Sequence, residues 1–265
     1  NNRCKHLLKN KPLMELSGKK ICVDINIYLH KFLANDVLLE KMYLLCSIFR
    51  YYNIIPIFIF DGKPPKEKSV EIYNRRVKRN EAIEEYDSII NSLNDNSICK
   101  TKEIIEKLNK LKRQMVRVKS YHINIIKELL TSYGMQYITA LGEADILCAE
   151  LVIKKKVYAC LSDDTDLFVY GCPRVLRYLN LNTRSVILYD TKKILSNLNI
   201  DIQNFKWICV LSGSDYLNTN TNIFNYFNLY EKYSKRCNNV ETQNFVDWLI
   251  KKKIINNDIL EEYKN

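Results

Sequence analysis

Two runs rich in β-branched and aromatic residues, Lys20–Asp24 and Ile54–Phe60, both finish at an acid: Asp24 closes the first and Asp61 follows the second. Strands buried on both faces of a sheet read as near-continuous apolar segments of this kind. Met135–Ile138, Val157–Leu161, Val175–Tyr178 and Val186–Tyr189 are further strand candidates. Helical patterns lie between several of them, at Leu38–Tyr51, Glu143–Lys155, Thr191–Leu198 and Ile202–Leu211. This alternation predicts an α/β fold, a mostly parallel central sheet flanked by helices.

The interval 62–134 interrupts the alternation with no convincing strand. From Ile104 the apolar positions run Ile104, Leu108, Leu111, Met115, Val118, His122, Ile125 and Leu129, in steps of four and three. That spacing predicts one face of a long helix, with Thr101 as its N-cap. Ile83, Tyr86, Ile90 and Leu93 repeat the spacing upstream, and Asn94–Ser97 supplies a polar turn. The insertion is therefore expected to be a helical hairpin, with His122 packing on its seam rather than binding metal. It is also basic: Lys63–Lys119 holds 15 Lys and Arg against 9 Asp and Glu, a net +6 of the chain's +11.

The acids cluster where a parallel sheet gathers its ligands, beyond the carboxyl ends of the strands. Asp24 lies in ICVDIN and Asp61 in IFDG. Glu143 and Asp145 open a helix in GEAD. Asp163, Asp164 and Asp166 follow Leu161 in LSDDTD, and Asp215 lies in LSGSDY. Any one of these could merely cap a helix or close a turn. Crowded together, they would raise one another's pKa values unless cations compensate. No Lys or Arg lies inside these short motifs, so hard divalent ions with oxygen ligands are the expected counter-charge. Two such ions about 4 Å apart would stabilise the attacking and leaving oxygens of a phosphodiester displacement.

Composition narrows the class. The chain has 265 residues, 47% hydrophobic and 27% charged, as in a soluble globular protein. No run approaches the roughly 18 apolar residues of a membrane helix. A net charge of +11 favours a polyanionic partner. The nine cysteines are scattered without a CxxC pair, which argues against zinc and against a disulfide framework. Cys22, Cys148, Cys160 and Cys209 sit in apolar segments and read as small core residues. An intracellular, reducing compartment is expected, with nucleus, organelle and viral replication site all open.

Taken in order, DINIYLHKF from Asp24, FDGKPP with KSVEI after it, GEAD, SDDTDLFVYG and LSGSDY resemble the flap endonuclease (XPG) family of structure-specific 5′ nucleases over roughly residues 1–217. Details such as LHK after the first acid are similar to the exonuclease-I-type branch. The resemblance implies a PIN-like nuclease core with a helical arch at 62–134, in a single nuclease domain spanning 1–265. It implies metal ligation by Asp24, Asp61, Glu143, Asp145, Asp164, Asp166 and Asp215, with Asp163 one step behind the ligands. Lys68 and Arg75, seven apart on one helix face, match the pair that contacts the scissile phosphate. Arg76, Lys78 and Arg79 would add phosphate contacts, and His30 matches a substrate-stacking position. Mg2+ is the expected cofactor, two ions, with Mn2+ able to substitute.

The chain departs from the family pattern after the last acid. The family places a Gly-Ile-Gly turn there, which holds duplex phosphate and often K+. Here 218–227 reads NTNTNIFNYF, with Asn222 and Phe224 at the glycine positions. A side chain as large as Phe blocks close backbone approach, so 216–265 is expected to be an altered helical DNA-binding region. The family begins Met-Gly-Ile, and Asn1 falls just inside that segment. The expected function is 5′ flap endonuclease and/or 5′–3′ exonuclease activity in replication or repair, by a monomer acting on DNA 5′ ends, flaps or junctions. No membrane partner is expected, and a sliding-clamp motif is not evident. A PIN-type ribonuclease and a catalytically inert DNA-binding scaffold are the alternative readings.

Overall fold

The computed structural model describes residues 2–95, 97, 99–213, 222–237 and 244–255. The chain divides into two compact units, Asn1–Ile194 and Leu195–Asn265. The first contains, in order, β1 (Lys9–Pro12), β2 (Lys20–Asp24), α1 (Ile25–Leu33), α2 (Leu38–Tyr51), β3 (Ile55–Phe60), α3 (Ser69–Asn94), α4 (Lys102–Met115), α5 (Ser120–Ser132), β4 (Gln136–Thr139), α6 (Ala144–Ile153), β5 (Ala159–Leu161), α7 (Asp166–Val169), β6 (Arg174–Asn180) and β7 (Ser185–Asp190). Helix α8 (Thr191–Asn197) follows. The second unit continues with α9 (Ile202–Leu211), α10 (Ile223–Cys237) and α11 (Phe245–Lys251).

One seven-stranded sheet runs in the order β1-β7-β6-β5-β2-β3-β4. Strands β2 to β6 pair in parallel, while β1 and β7 add an antiparallel edge. Strand β2 is the switch point, since β3 and β4 build outward on one side of it and β5 and β6 on the other. Side chains alternate between the faces as the pleat requires. Val23, Phe58 and Phe60 join the core with α1, α2 and α5, through Tyr28, Phe49 and Ile126. Cys22, Ile57 and Ile59 point the other way and pack on α6, through Cys148 and Val152. This is the α/β layering that the strand–helix alternation predicts. Strand β1 escapes sequence reading, because KNKP carries no apolar alternation and takes its place by pairing with β7.

The insertion differs from the expected single long helix. Helix α4 stops at Met115 and Val116–Lys119 runs extended before α5 begins. The apolar spacing continues through the gap, so periodicity alone does not reveal it. His122 marks the restart: its Nδ1 accepts the Lys119 N–H at 3.0 Å. Its role is thus helix capping. Thr101 caps α4 as expected, its Oγ1 accepting the Ile104 N–H at 3.3 Å. Helices α3 and α4 pack on each other, and Lys107 Nζ reaches Glu85 Oε1 at 2.6 Å. Helix α5 leaves that pair and buries Ile126 and Leu130 in the sheet core.

In the second unit, α9 is capped by Asp201 and α11 by Asn244. Ile208, Leu211, Tyr226, Tyr230, Phe245 and Leu249 form its core. Among the described residues, no helix is long and apolar enough to cross a membrane.

Candidate active site

The carboxyl ends of β2, β3, β4 and β5 bring the acids of the first unit together. Strand β2 passes directly into α1, so Asp24 ends the strand and caps the helix: its Oδ1 accepts the Asn26 N–H at 3.3 Å. Its other oxygen accepts the Ser162 hydroxyl at 2.8 Å. Ser162 is fully buried, and its Oγ also accepts the Asp164 N–H at 3.0 Å. Asp164 Oδ1 in turn accepts the Asp166 N–H at 2.9 Å, which shapes the entry to α7. Capping and clustering are therefore not rivals here, because the turns that the caps close are what aim the acids.

Asp61, just beyond β3, accepts the Ala144 N–H at 2.8 Å and so ties its loop to the start of α6. The neighbouring Gly62 makes this approach possible. Its N–H donates to the Gly142 carbonyl at 2.7 Å. A Cβ at position 62 would stand 2.0 Å from the Ala140 carbonyl oxygen, which is rigid backbone. Glu143 is the N-cap residue of α6, and Asp145 stands two residues on, in the first turn.

Mutual repulsion and burial leave their mark on the acids. Asp24 is raised to about 7, by burial first and then by the charges of Asp61, Asp145 and Asp164, against the Ser162 hydrogen bond. Asp145 is raised to about 6 by burial and by Glu143 and Asp164, against the bond from the Ile146 N–H. Asp61 keeps a face open to solvent, yet the protein wall around it and the Glu143 charge push it up too. Among the described residues, Lys68 meets this negative charge directly. Lys68 Nζ lies 2.6 Å from Glu143 Oε1, with both side chains largely covered. The other oxygen, Glu143 Oε2, is buried without a hydrogen-bond partner. The short acidic motifs hold no Lys or Arg, and the fold brings Lys68 to them from outside, at one oxygen of Glu143.

Residues 3–82 match the XPG N-terminal domain and residues 134–215 the XPG I-region. Flap endonuclease 1 of Drosophila yakuba is 31% identical over 227 residues, 79% of this chain and 56% of that protein. The chain belongs to the flap endonuclease/XPG family. The solved catalytic core of Rad2 in complex with DNA substrate superposes at TM-score 0.65 and 23% identity, over 96% of this chain and 79% of that one. The Holliday junction-resolving enzyme GEN1, in complex with product DNA and Mg2+ ion, gives 0.58 at 19% identity over 85% of this chain and 49% of that one. This family member spans little more than half the length of the curated relative.

The remaining site residues expected from the family fall in different places. Lys68 precedes α3 as its N-cap residue, after the 3-10 turn Lys66–Lys68, and is buried. Arg75 is 70% exposed along α3 and pairs with Glu71. The two share a direction along α3 but not an environment. Arg76 and Lys78 are exposed and Arg79 is half-buried. His30 stands at the surface of α1, where crowding and the charge of Arg75 lower its pKa, against the pull of Asp61. Asp163 faces away from the cluster. Its Oδ1 accepts the Tyr178 N–H at 2.6 Å, holding a residue at φ +56°. Asp215 lies outside the described residues.

Two contributors escape sequence reading. Ser162 bridges Asp24 and Asp164. Its signal is a small hydroxyl residue between a strand end and the acid pair. Tyr170 is half-buried beside the site, its phenol pushed well up by burial and by the charges of Asp145, Asp166 and Glu143.

Proposed function

We propose that this chain is a divalent-metal-dependent phosphodiesterase acting on DNA, a 5′ structure-specific nuclease for ends, flaps or junctions. The observation that carries the reading is that Asp24, Asp61, Glu143, Asp145 and Asp164 lie near enough to raise one another's pKa values, with Glu143 Oε2 buried and lacking a hydrogen-bond partner among the described residues. An all-oxygen donor set with surplus negative charge suits a hard cation such as Mg2+. Asp24, Asp61, Glu143, Asp145, Asp164 and Asp166 would hold the ions, with Asp215 as a seventh candidate. When bound, two such ions would polarise the phosphoryl oxygens and lower the pKa of water for attack. The names and contexts of the relatives, a flap endonuclease, a Rad2–DNA complex and a GEN1–product complex with Mg2+, support the same chemistry.

The chain's own residues supply positioning. Lys68, at the mouth of the cluster, is placed to exchange Glu143 for a phosphate oxygen and to carry charge developing on it. Arg75 gives a planar donor two turns along α3. The α3–α4 pair forms an arch whose basic face, with Arg76, Lys78 and Arg79, follows a single strand. His30 stacks on a base at the rim.

The test is cleavage with Mg2+ of labelled flap, nicked, blunt and single-stranded DNA, with an RNA strand alongside, by wild type and Asp164→Asn. DNA cutting that Asp164→Asn abolishes is expected. Binding without cutting would leave an inert scaffold, preferential RNA cutting would favour the PIN-type ribonuclease, and an active Asp164→Asn would sink the metal assignment.

A further inference from the structure

On the opposite face of β2 from Val23, away from the α1–α2 core, three cysteines meet that the proposed chemistry does not use. Cys22 on β2, Cys160 on β5 and Cys148 on α6 are each fully buried, and their Sγ atoms all lie within 4.8 Å of one another. Cys22 and Cys160 are register partners on adjacent parallel strands. Cys148 reaches them from the helix that covers that face. Among the described residues this is the one group of three Cys, His, Asp or Glu side chains with ligand atoms so close together. Cys172 lies in the same core and feels Cys22 and the Cys160 backbone, and Cys46 lies in the other core, but among the described residues neither brings its sulfur within 4.8 Å of all three. The absence of CxxC spacing excludes ligand pairs from one loop, but not three ligands from three elements.

We propose that Cys22, Cys148 and Cys160 form a binding site for a single thiophilic d10 cation in three-sulfur coordination. Metal–sulfur bonds of about 2.3 Å, the zinc value, place three trigonal sulfurs about 4 Å apart. The observed separation therefore needs a contraction of less than an ångström. Thiolates select soft ions, which keeps the site chemically distinct from the oxygen cluster and its hard cations. Among the described residues no fourth Cys, His, Asp or Glu ligand atom lies within 4.8 Å of all three, so the site favours ions content with three sulfurs over tetrahedral zinc. Binding releases the thiol protons to solvent. A divalent ion leaves one net negative charge on three thiolates and a monovalent ion leaves two. Burial in low dielectric favours the smaller residue. The site lies under the catalytic candidates: Cys22 is two residues before Asp24, Cys160 two before Ser162 and Cys148 three after Asp145. An occupying ion is held by the same three elements that place those groups.

The inference does not depend on the nuclease reading, and its test reads no activity. The full chain, reduced with a phosphine, is titrated with Cd2+ in the presence of Mg2+. The expected result is a sulfur-to-cadmium charge-transfer band saturating at one equivalent, three sulfur neighbours by X-ray absorption, and a raised Tm. The band should persist in Cys99→Ser and vanish in Cys148→Ala. X-ray absorption on the wild type needs no variant to fold, so it decides the matter if Cys148→Ala does not. Cadmium bound to oxygen alone, or a band that Cys148→Ala retains in full, would overturn the proposal.

Discussion

Lys68 and Glu143 meet at 2.6 Å across the base of the helical insertion, joining the start of α3 to the start of α6. The pair is largely covered, so removing one partner strands the other charge. Lys68→Met is expected to cost on the order of 3 kcal/mol in metal-free protein, the usual penalty for breaking a buried pair. Mg2+ should restore most of that loss, because the ion takes over the counter-charge at Glu143. Cleavage should stay down by roughly 100-fold or more even at saturating Mg2+, the scale for removing a transition-state donor. Melting curves with and without Mg2+, beside single-turnover rates, check both halves. A Tm loss that Mg2+ does not repair would mean the pair is only structural.

Gly62 is required by space rather than by dihedral angle. A Cβ there would collide with the Ala140 carbonyl oxygen at 2.0 Å. Gly62→Ala must push the β3 and β4 ends apart, separating Asp61 from the Ala144 N–H. The expected cost is about 2 kcal/mol or more, with cleavage falling more steeply than Tm. Urea unfolding and cleavage rates measure this. A variant within about 0.5 kcal/mol of wild type, the range of an inert surface change, would contradict the packing described.

The raised acids make metal-free protein sensitive to pH in a definite direction. Asp24 at about 7 and Asp145 at about 6 hold protons that the unfolded chain has already released above its ordinary value of 3.8. Their stabilising contribution is complete below that value and is lost as pH rises through about 6 and then about 7. Apo-protein stability should therefore carry a falling component between these limits, on the order of a few kcal/mol. Asp24→Asn should remove its larger part. Mg2+, which binds the ionised form, should flatten it. Tm against pH for both proteins tests this, and parallel curves would refute it.

Ser162→Ala sharpens the same point. The Ser162 hydroxyl lowers the Asp24 pKa, so its loss raises that pKa further. The acid limb of the rate profile should move to higher pH, with a stability cost of about 1–3 kcal/mol for the unsatisfied groups. An unmoved limb would detach Asp24 from catalysis.

Adjacent aspartates should behave oppositely. Asp163→Ala releases the Tyr178 N–H at its left-handed backbone and should destabilise by about 1–3 kcal/mol while leaving cleavage within a few-fold. Asp164→Asn should abolish cleavage with little change in Tm. Reversal of the two would exchange their roles.

Local pattern and side-chain chemistry carry much of this protein's reading. The apolar runs Lys20–Asp24 and Ile54–Phe60 predict buried parallel strands because burial on both faces leaves no alternation to hide. The acids at their ends mark one side of the sheet because parallel strands share a direction. Other features depend on contacts between residues far apart in the chain, which no periodicity records. Strand β1 takes its place by pairing with β7. The break at Val116–Lys119 preserves the apolar spacing while leading α5 away from α4 and into the sheet core. Asp163 and Asp164 look alike as letters, yet a turn of the backbone sends one to Tyr178 and the other to the Ser162 hydroxyl through its N–H. Lys68 meets Glu143, and Cys22 meets Cys148 and Cys160, only when the chain closes on itself. Residue type decides which chemistry is possible; tertiary packing decides which of those groups face one another, because distance and burial set whether their charges and ligand atoms act together.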